Sequence, residues 1–338
     1  MKGNDKMKVA INGFGRIGRL VYRIMENDPF FDVVAINDLS SSEELAYLLK
    51  YDSNLRNYDE EVTYDDEGLI VEGKKVKVYA DKDPKLLPWK ELEVDLVLEC
   101  TGRFTKEEDA KMHLEAGAKK VLVSAPCKGN VKTVVYGVNE DIIESTDTLL
   151  SAASCTTNCL APVLKVLNDN FGIEKGFMTT VHAYTNDQVT LDVTHKKGIK
   201  ERRGRACAIN IIPTSTGAAT AIGKVLPELD GKLSGGALRV PVPDGSLIDL
   251  SLELTEKVTE DEINSAFINA SSEVLKVTTD PIVSSDVIGT NYGAVVDLAL
   301  TKVLEVNEKQ MVKVVAWYDN EFGYSNQMVR TAKAFLER

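Results

Sequence analysis

Lys8-Val-Ala-Ile-Asn-Gly13-Phe14-Gly15-Arg16-Ile17-Gly18 is the stretch on which the fold turns. Lys8–Ile11 is a short apolar run of strand character, and Arg16–Glu26 is helically periodic, so the three glycines lie between a strand and a helix. At this spacing each has its own use. Gly13 permits a tight turn, Gly15 lets the backbone approach a pyrophosphate, and Gly18 lets the helix pack on the strand. The start of the helix offers free N–H groups and a positive dipole end to that pyrophosphate. The spacing alone is weak evidence, and a glycine turn without a ligand is the plain alternative. The strand before the glycines, the helix after them and an acid downstream, Asp38, together favour the ligand over a ligand-free turn with a solvated Asp38. Asp38 stands about 20 residues past Gly18, just after a second apolar run, Val33–Ile36, where a carboxylate accepts from adenosine ribose hydroxyls and repels a 2′-phosphate. The stretch therefore reads as a dinucleotide site that prefers NAD.

Outward from this motif the first half continues to alternate. Val94–Glu99 and Lys120–Ser124 read as buried strands, with a helical pattern at Lys106–Glu115 between them. Such alternation predicts an α/β Rossmann domain, a doubly wound parallel sheet with crossover helices. Val94–Glu99 runs out into Cys100-Thr101-Gly102, and ligands of open parallel sheets sit at such strand ends. After about Leu150 the pattern changes to longer, partly alternating runs: Gly176–Tyr184, Gly245–Thr255, Ala294–Leu300 and Met311–Tyr318. These predict an α+β domain with a mostly antiparallel sheet. Thr259-Glu-Asp-Glu262 is a capping-box helix start, and Ser325–Glu337 reads as a terminal helix. The expected division is an NAD-binding domain over 1–154, a catalytic domain over 155–320, and a C-terminal helix, about 321–338, that packs back on the first.

The 338 residues suit about two domains of ~150 residues. With 43% apolar and 27% charged residues, the chain can bury a core without disulfides. A formal net charge of −12 speaks against nucleic acid or an anionic membrane as the main partner, since both are bound by basic fields. Phosphate on such a protein needs a local pocket of arginines or backbone amides. No apolar run approaches the ~20 residues of a membrane span, and Met1–Lys8 is polar, without the core of a secretory signal. Met1–Lys6 reads as disordered. Five cysteines, an odd count, fit a reducing cytoplasm in which a special cysteine is chemical rather than structural.

Ser151-Ala-Ala-Ser154-Cys155-Thr156-Thr157-Asn158-Cys159 leads into a helical pattern ending near Asn170. Cys155 thus falls at a helix N-terminus, where the dipole and unpaired amides lower a thiol pKa and can hold an oxyanion. A thiolate attacks an aldehyde carbon, and an imidazole can serve as its base. Of the three histidines, His113 stands between Lys111 and Glu115 and reads as a surface residue, and His195 lies in a basic, loop-like run. His182 is set in the apolar strand pattern Phe177–Tyr184 beside a turn. A lone strand histidine is more often a satisfied core residue; its pairing with a helix-start cysteine favours catalysis. Cys155 and Cys159, on one helix face, also allow two core thiols, a zinc pair or a redox pair. Zinc needs about four ligands and the redox motif is usually CxxC, so Cys159 reads as a buried neighbour and no metal is expected. Cys100, Cys127 and Cys207 read as structural.

Over essentially the whole chain these motifs resemble the phosphorylating glyceraldehyde-3-phosphate dehydrogenase family. The resemblance is carried by INGFGRIGR (11–19), ASCTTNCLAP (153–162), HAYTNDQ (182–188), PTSTGAA (213–219), RVPVPDGS (239–246) and WYDNEFGYS (317–325). It implies that Cys155 is the nucleophile and His182 its base. It implies one anion site at Thr185, Asp187 and Arg239 for the C3 phosphate of the substrate. A second site, at Ser154, Thr156, Thr216 and Gly217, would take the attacking inorganic phosphate, with Arg203 near both. Implied cofactor contacts are Arg16, Ile17, Asp38, Ser124 and Asn320, with the Tyr324 ring against the nicotinamide. Residues 184–207 resemble a loop that lines the cofactor site across a subunit interface, and the family is homotetrameric.

The implied reaction oxidises D-glyceraldehyde 3-phosphate with NAD and inorganic phosphate to 1,3-bisphosphoglycerate through a cysteine thioester, in glycolysis and gluconeogenesis. A relative acting on erythrose 4-phosphate is the alternative on the same scaffold. A non-catalytic dinucleotide-binding protein is a further one, against which intact Cys155, His182, Arg239 and Asn320 speak. Two departures from the family pattern bear on the cofactor and substrate loops. Thr194 stands where NAD-specific members usually carry proline, which leaves NADP use open, whereas Asp38 followed by Leu39 points to NAD. The basic run His195–Arg203 is longer than the common family form.

Overall fold

The computed structural model describes residues 6–195 and 198–338. Most of the Met1–Lys6 stretch, expected to be disordered, and Lys196 and Lys197 of the basic run lie outside the described residues. The chain forms two compact units, Met1–Ser154 with Ser325–Arg338, and Cys155–Tyr324.

In the first unit, β1 (Met7–Asn12), α1 (Arg16–Glu26), β2 (Phe31–Asn37) and α2 (Ser42–Lys50) are followed by β3 (Val62–Asp65), β4 (Gly68–Val71) and β5 (Lys74–Tyr79). Then come β6 (Leu96–Glu99), α3 (Glu107–Ala110), α4 (Met112–Glu115), β7 (Lys120–Val123), β8 (Lys132–Thr133) and β9 (Leu149–Ser151). Among the described residues they form a nine-stranded sheet of order β3-β4-β5-β2-β1-β6-β7-β9-β8. Its pairings are parallel except where β4 meets β3 and β5. β1 lies where the order reverses, with Asn12 opposite Asn37 on one side and Glu99 on the other. Val9, Ala10 and Ile11 are buried, as both faces of a parallel strand require. Met328, Ala332 and Phe335 join the same core as Val9, Ile11 and Leu98.

Three features depart from the sequence reading. The hairpins β3–β4–β5 went unread, although Glu72 and Gly73, at φ 48° and 75°, make the tight turn that Glu-Gly marks. The helix expected at Lys106–Glu115 is interrupted at Lys111 into α3 and α4. His113, expected at the surface, is fully buried. An indole can only donate, so Trp89 Nε1 at 3.0 Å makes His113 Nδ1 an acceptor. Nε2 then carries the proton and meets Glu99 Oε2 at 3.0 Å. The charged neighbours Lys111 and Glu115 are exposed and mislead about a side chain that turns inward.

The second unit holds α5 (Cys155–Phe171), β10 (Ile173–Ala183), β11 (Ile212–Thr214), α6 (Ala218–Ala221), β12 (Leu233–Val240), β13 (Ser246–Leu254) and α7 (Glu260–Asn269). It continues with β14 (Leu275–Thr278), β15 (Ala294–Asp297), β16 (Lys302–Val306), β17 (Lys309–Tyr318) and the start of α8 (Phe322–Leu336). The strand order is β11-β12-β10-β13-β17-β15-β14, with β16 on β17. The sheet is largely antiparallel; β10 with β12 and β14 with β15 run parallel. Thr259 and Glu262 form the capping box of α7. Among the described residues no helix is long and apolar enough to cross a membrane.

Candidate active site

The pocket of the first unit is made by backbone at the carboxyl ends of β1, β2 and β6. Gly13 holds φ 91°, and a Cβ there would lie 2.7 Å from Thr101 N. A Cβ on Gly18 would lie 2.1 Å from the Gly13 carbonyl oxygen, so the helix meets the turn only through glycine. A Cβ on Gly15 would meet nothing within 4 Å, which leaves open space in front of that backbone. Gly15 caps α1 without a side-chain hydrogen bond, and Ile17 packs against the core behind. Asp38 is fixed at the rim, where Oδ2 accepts from Phe14 N–H at 2.8 Å and Oδ1 from Ser40 N–H at 3.0 Å. A cavity of about 350 Å³ follows, lined by Gly13, Gly15, Asn37, Asp38, Leu39 and Thr101 among others. That volume lies within the usual range for small-molecule sites. Arg16 pairs with Asp52, and Ser124 follows β7, its N–H on Glu99 O at 2.9 Å.

In the second unit Cys155 is the first residue of α5, preceded by Ala153 at φ 57°, a left-handed conformation uncommon outside glycine. Cys155 Sγ lies 3.4 Å from His182 Nε2. His182 Nδ1 lies 2.6 Å from the Ala183 carbonyl, which can only accept. Nδ1 therefore carries the hydrogen, and Nε2 presents its lone pair to the thiol. Arg239 lies opposite His182 in the parallel pairing of β10 and β12. Its Nη1 donates to Ala183 O at 3.2 Å, Thr185 Oγ1 at 2.8 Å and Gln188 Oε1 at 3.4 Å. Asp187 accepts from Thr185 and pairs with Arg203. Arg203 also donates to Thr214 Oγ1 at 3.1 Å. Thr185, Asp187, Arg203 and Arg239 thus form one cluster beside the Cys155–His182 pair. Thr156 Oγ1 lies 2.9 Å from the Tyr318 hydroxyl. Thr216 Oγ1 accepts from Ala218 N–H at 3.2 Å, and Gly217 caps α6; Ser154 is half-buried.

Residues 7–107 match the family model described as the glyceraldehyde 3-phosphate dehydrogenase NAD binding domain, and residues 154–320 the C-terminal domain of that family. The glyceraldehyde-3-phosphate dehydrogenases of Clostridium acetobutylicum and Clostridium pasteurianum are each 56% identical over 330 residues, 98% of either chain. That of Streptococcus pyogenes is 53% identical over 332 residues, again 98% of each chain. The chain belongs to the glyceraldehyde-3-phosphate dehydrogenase family. It is accordingly an NAD-linked oxidoreductase, with the family's NAD-binding domain at its N-terminal side.

The electrostatics of this family member depend on burial. Burial pushes the Cys155 thiol up, while the Arg239 charge and the Thr156 hydroxyl and N–H pull it back. His182 falls to about 4, because burial penalises the imidazolium and Arg239 repels it. The sequence expectation of a thiol lowered by its helix start is thus outweighed by desolvation, and at neutral pH the imidazole is a neutral acceptor. Three participants went unread in the sequence. Tyr318 is buried and bridges Thr156 and Thr180, the latter at 2.8 Å. Gln188 holds Arg239, and Ser246 Oγ donates to Asn320 Oδ1 at 2.6 Å. Each stands in a segment that carries the resemblance, which is the signal that could have found it. Among the described residues no group of three or more His, Cys, Asp or Glu could hold a metal ion.

Proposed function

We propose that this enzyme oxidises D-glyceraldehyde 3-phosphate with NAD and inorganic phosphate to 1,3-bisphosphoglycerate, with Cys155 as nucleophile and His182 as base. The observation that carries the reading is the 3.4 Å approach of Sγ to the unprotonated Nε2 at the start of α5. His182 takes the thiol proton as sulfur adds to the aldehyde carbon, and returns it to the carbonyl oxygen, giving a thiohemiacetal. Amides at the start of α5 hold that oxygen as charge develops. His182 then takes the hydroxyl proton as the carbon is oxidised to the thioester. When bound, NAD supplies the hydride acceptor. Phosphate oxygen attacks the thioester carbon, the C–S bond breaks, and the acyl phosphate leaves Cys155 as thiolate.

Arg239, Arg203, Thr185 and Asp187 take the C3 phosphate. Arg239 Nε and Gln188 Nε2 are buried donors without a partner, the kind of group an anion satisfies. Ser154, Thr156, Thr216 and Gly217 take inorganic phosphate. NAD fits the first unit at Gly13, Gly15, Arg16, Ile17, Gly18, Asp38 and Ser124. Asn320 and Tyr324 take the nicotinamide; Asn320 Nδ2, buried and without an acceptor, suits its carboxamide. Leu191, Val193, Ile199, Ile209 and Ile211 are exposed on the 189–211 stretch. Apolar residues gathered this way mark a surface that another protein covers, which supports self-association; by its family the enzyme is a homotetramer of the cytoplasm. Adding the aldehyde with NAD or NADP, with and without phosphate, tests the whole reading. Rapid NADH formation that needs phosphate is expected, and Cys155→Ser lowers it on the order of 10⁶-fold with NAD affinity unchanged. Retained turnover in that variant, or faster turnover with erythrose 4-phosphate, overturns it.

A further inference from the structure

Asn320 sits in a turn beside two buried carboxyl groups, Asp244 and Asp319. β13 and β17 pair with Ser246 opposite Tyr318, so Asp244 and Gly245 leave the sheet alongside Asp319 and Asn320. Asp244 and Asp319 are each only 1% exposed. Both carboxylate oxygens of Asp319 accept backbone N–H groups. Its Oδ1 accepts from the N–H groups of Glu321 at 2.8 Å and Phe322 at 2.7 Å, and its Oδ2 from Gly289 at 2.7 Å. These bonds shape the turn that carries Asn320 and tie it to the Gly289 loop. Asp244 is different: Oδ1 accepts from Gly245 N–H at 2.8 Å, and Oδ2 meets no donor. The ionisable groups that act on it are Asp319 and Glu321, both acidic. Two carboxyls buried against each other cannot both ionise, and a carboxyl oxygen lacking a donor is satisfied by becoming one.

We propose that Asp244 is held as a neutral carboxylic acid whose hydroxyl donates to the Asp319 carboxylate, and that this shared proton positions Asn320 for the nicotinamide. The proposal rests on the reading of Asn320 given above. Asp244 is a positioning residue that touches neither substrate nor cofactor. Burial, with the charges of Asp319 and Glu321, pushes Asp244 up to about 9, and burial raises Asp319 as well. The pair therefore keeps its proton through neutral pH. Above about 9 the proton leaves, two buried negative charges face each other, and the Asp319–Phe322 turn loosens.

The test uses the intact enzyme and NAD itself. Asp244→Asn places an amide N–H where the acid hydroxyl stood and cannot ionise; Asp244→Ala removes the donor. Calorimetry from about pH 7 to about pH 10 reads the Kd for NAD. In the wild type, Kd rises about tenfold through a transition near 9, whereas Asp244→Asn stays flat. Asp244→Ala binds about tenfold more weakly throughout, with KM for NAD rising more than kcat falls. Carbon-13 NMR of labelled aspartate shows one carboxyl titrating near 9, absent in Asp244→Asn. The same alkaline transition in Asp244→Asn, or a wild-type Kd flat across the range, overturns the proposal. If Asn320→Ala binds NAD as tightly as the wild type, the reading of Asn320 fails, and with it the cofactor half of the proposal. The NMR titration decides the position of the proton independently.

Discussion

In the first unit the surface offered to a ligand is backbone: a glycine turn, a helix start, and one aspartate held by the N–H groups of Phe14 and Ser40. In the second unit it is side chains, with Cys155, His182, Thr185 and Arg239 brought together from a helix, two strands and a loop. The backbone surface comes from consecutive residues, and its demands are steric. The side-chain surface comes from residues far apart, and its demands are electrostatic and tautomeric. On the function proposed above, binding is delegated to the first kind and bond-making to the second, so the two should fail differently when cut.

Short of removing the sulfur itself, His182→Asn cuts deepest. It keeps a polar group in place but removes the acceptor at Nε2, and general-base removal lowers kcat/KM by about 10²–10⁴. NAD affinity should stay as it was, since the glycine surface is untouched. The pH profile sharpens the point. His182 is lowered to about 4, so the free wild type keeps its base neutral well below the ordinary histidine range. The acid limb of kcat/KM should therefore fall near 4, not near 6.5. Between those values the unfolded chain binds a proton that the folded one refuses, so stability drops as the pH drops, by at most about 3 kcal/mol. Asn should abolish that slope. A wild-type acid limb near the unshifted value would show the pocket to be wetter than its burial implies.

The same contrast explains what was legible in the sequence. Strand, glycine turn and helix lie within one short stretch, and α1 runs over Arg16–Glu26 as its periodicity predicts. Cys155 as a helix start was legible for the same reason. The bridge from Thr156 through Tyr318 to Thr180 was not, because its partners lie 162 and 138 positions apart and only the strand pairing brings them together. His113 misled because its sequence neighbours are charged while its partners, Trp89 and Glu99, are 24 and 14 positions away. Asp244 lies in a segment legible by resemblance. Its lack of a donor, however, is a property of the folded neighbourhood alone.

Within the backbone surface, Gly15 and Gly18 give a finer comparison. Gly18→Ala forces a Cβ to 2.1 Å from a carbonyl oxygen, and such overpacking costs about 1–3 kcal/mol, visible as a lower Tm. Gly15→Ala meets nothing within 4 Å and should fold with an unchanged Tm. The same variant should still bind NAD on the order of tenfold more weakly, because its methyl occupies space the pyrophosphate needs. Thermal melts with and without NAD separate the two. Equal Tm losses would mean that both glycines serve packing and that neither is reserved for a ligand.

The smallest expected effect is at Asp38, the one side chain on which the backbone surface relies. Its two carboxylate oxygens each accept one backbone N–H, so Asp38→Asn retains one of those bonds and loses the charge. Removing a charge about 4 Å from a 2′-phosphate relieves on the order of 1 kcal/mol, roughly a fivefold shift in the NADP-to-NAD ratio of kcat/KM. Leu39 beside it is exposed and apolar and offers a phosphate nothing, so the preference should narrow without reversing. If the ratio stays fixed in Asp38→Asn, the discrimination lies elsewhere, and Thr194 becomes the residue to change. The contrast between the two kinds of surface would then weaken, because cofactor choice would rest on a hydroxyl side chain and not on the carboxylate that closes the glycine turn.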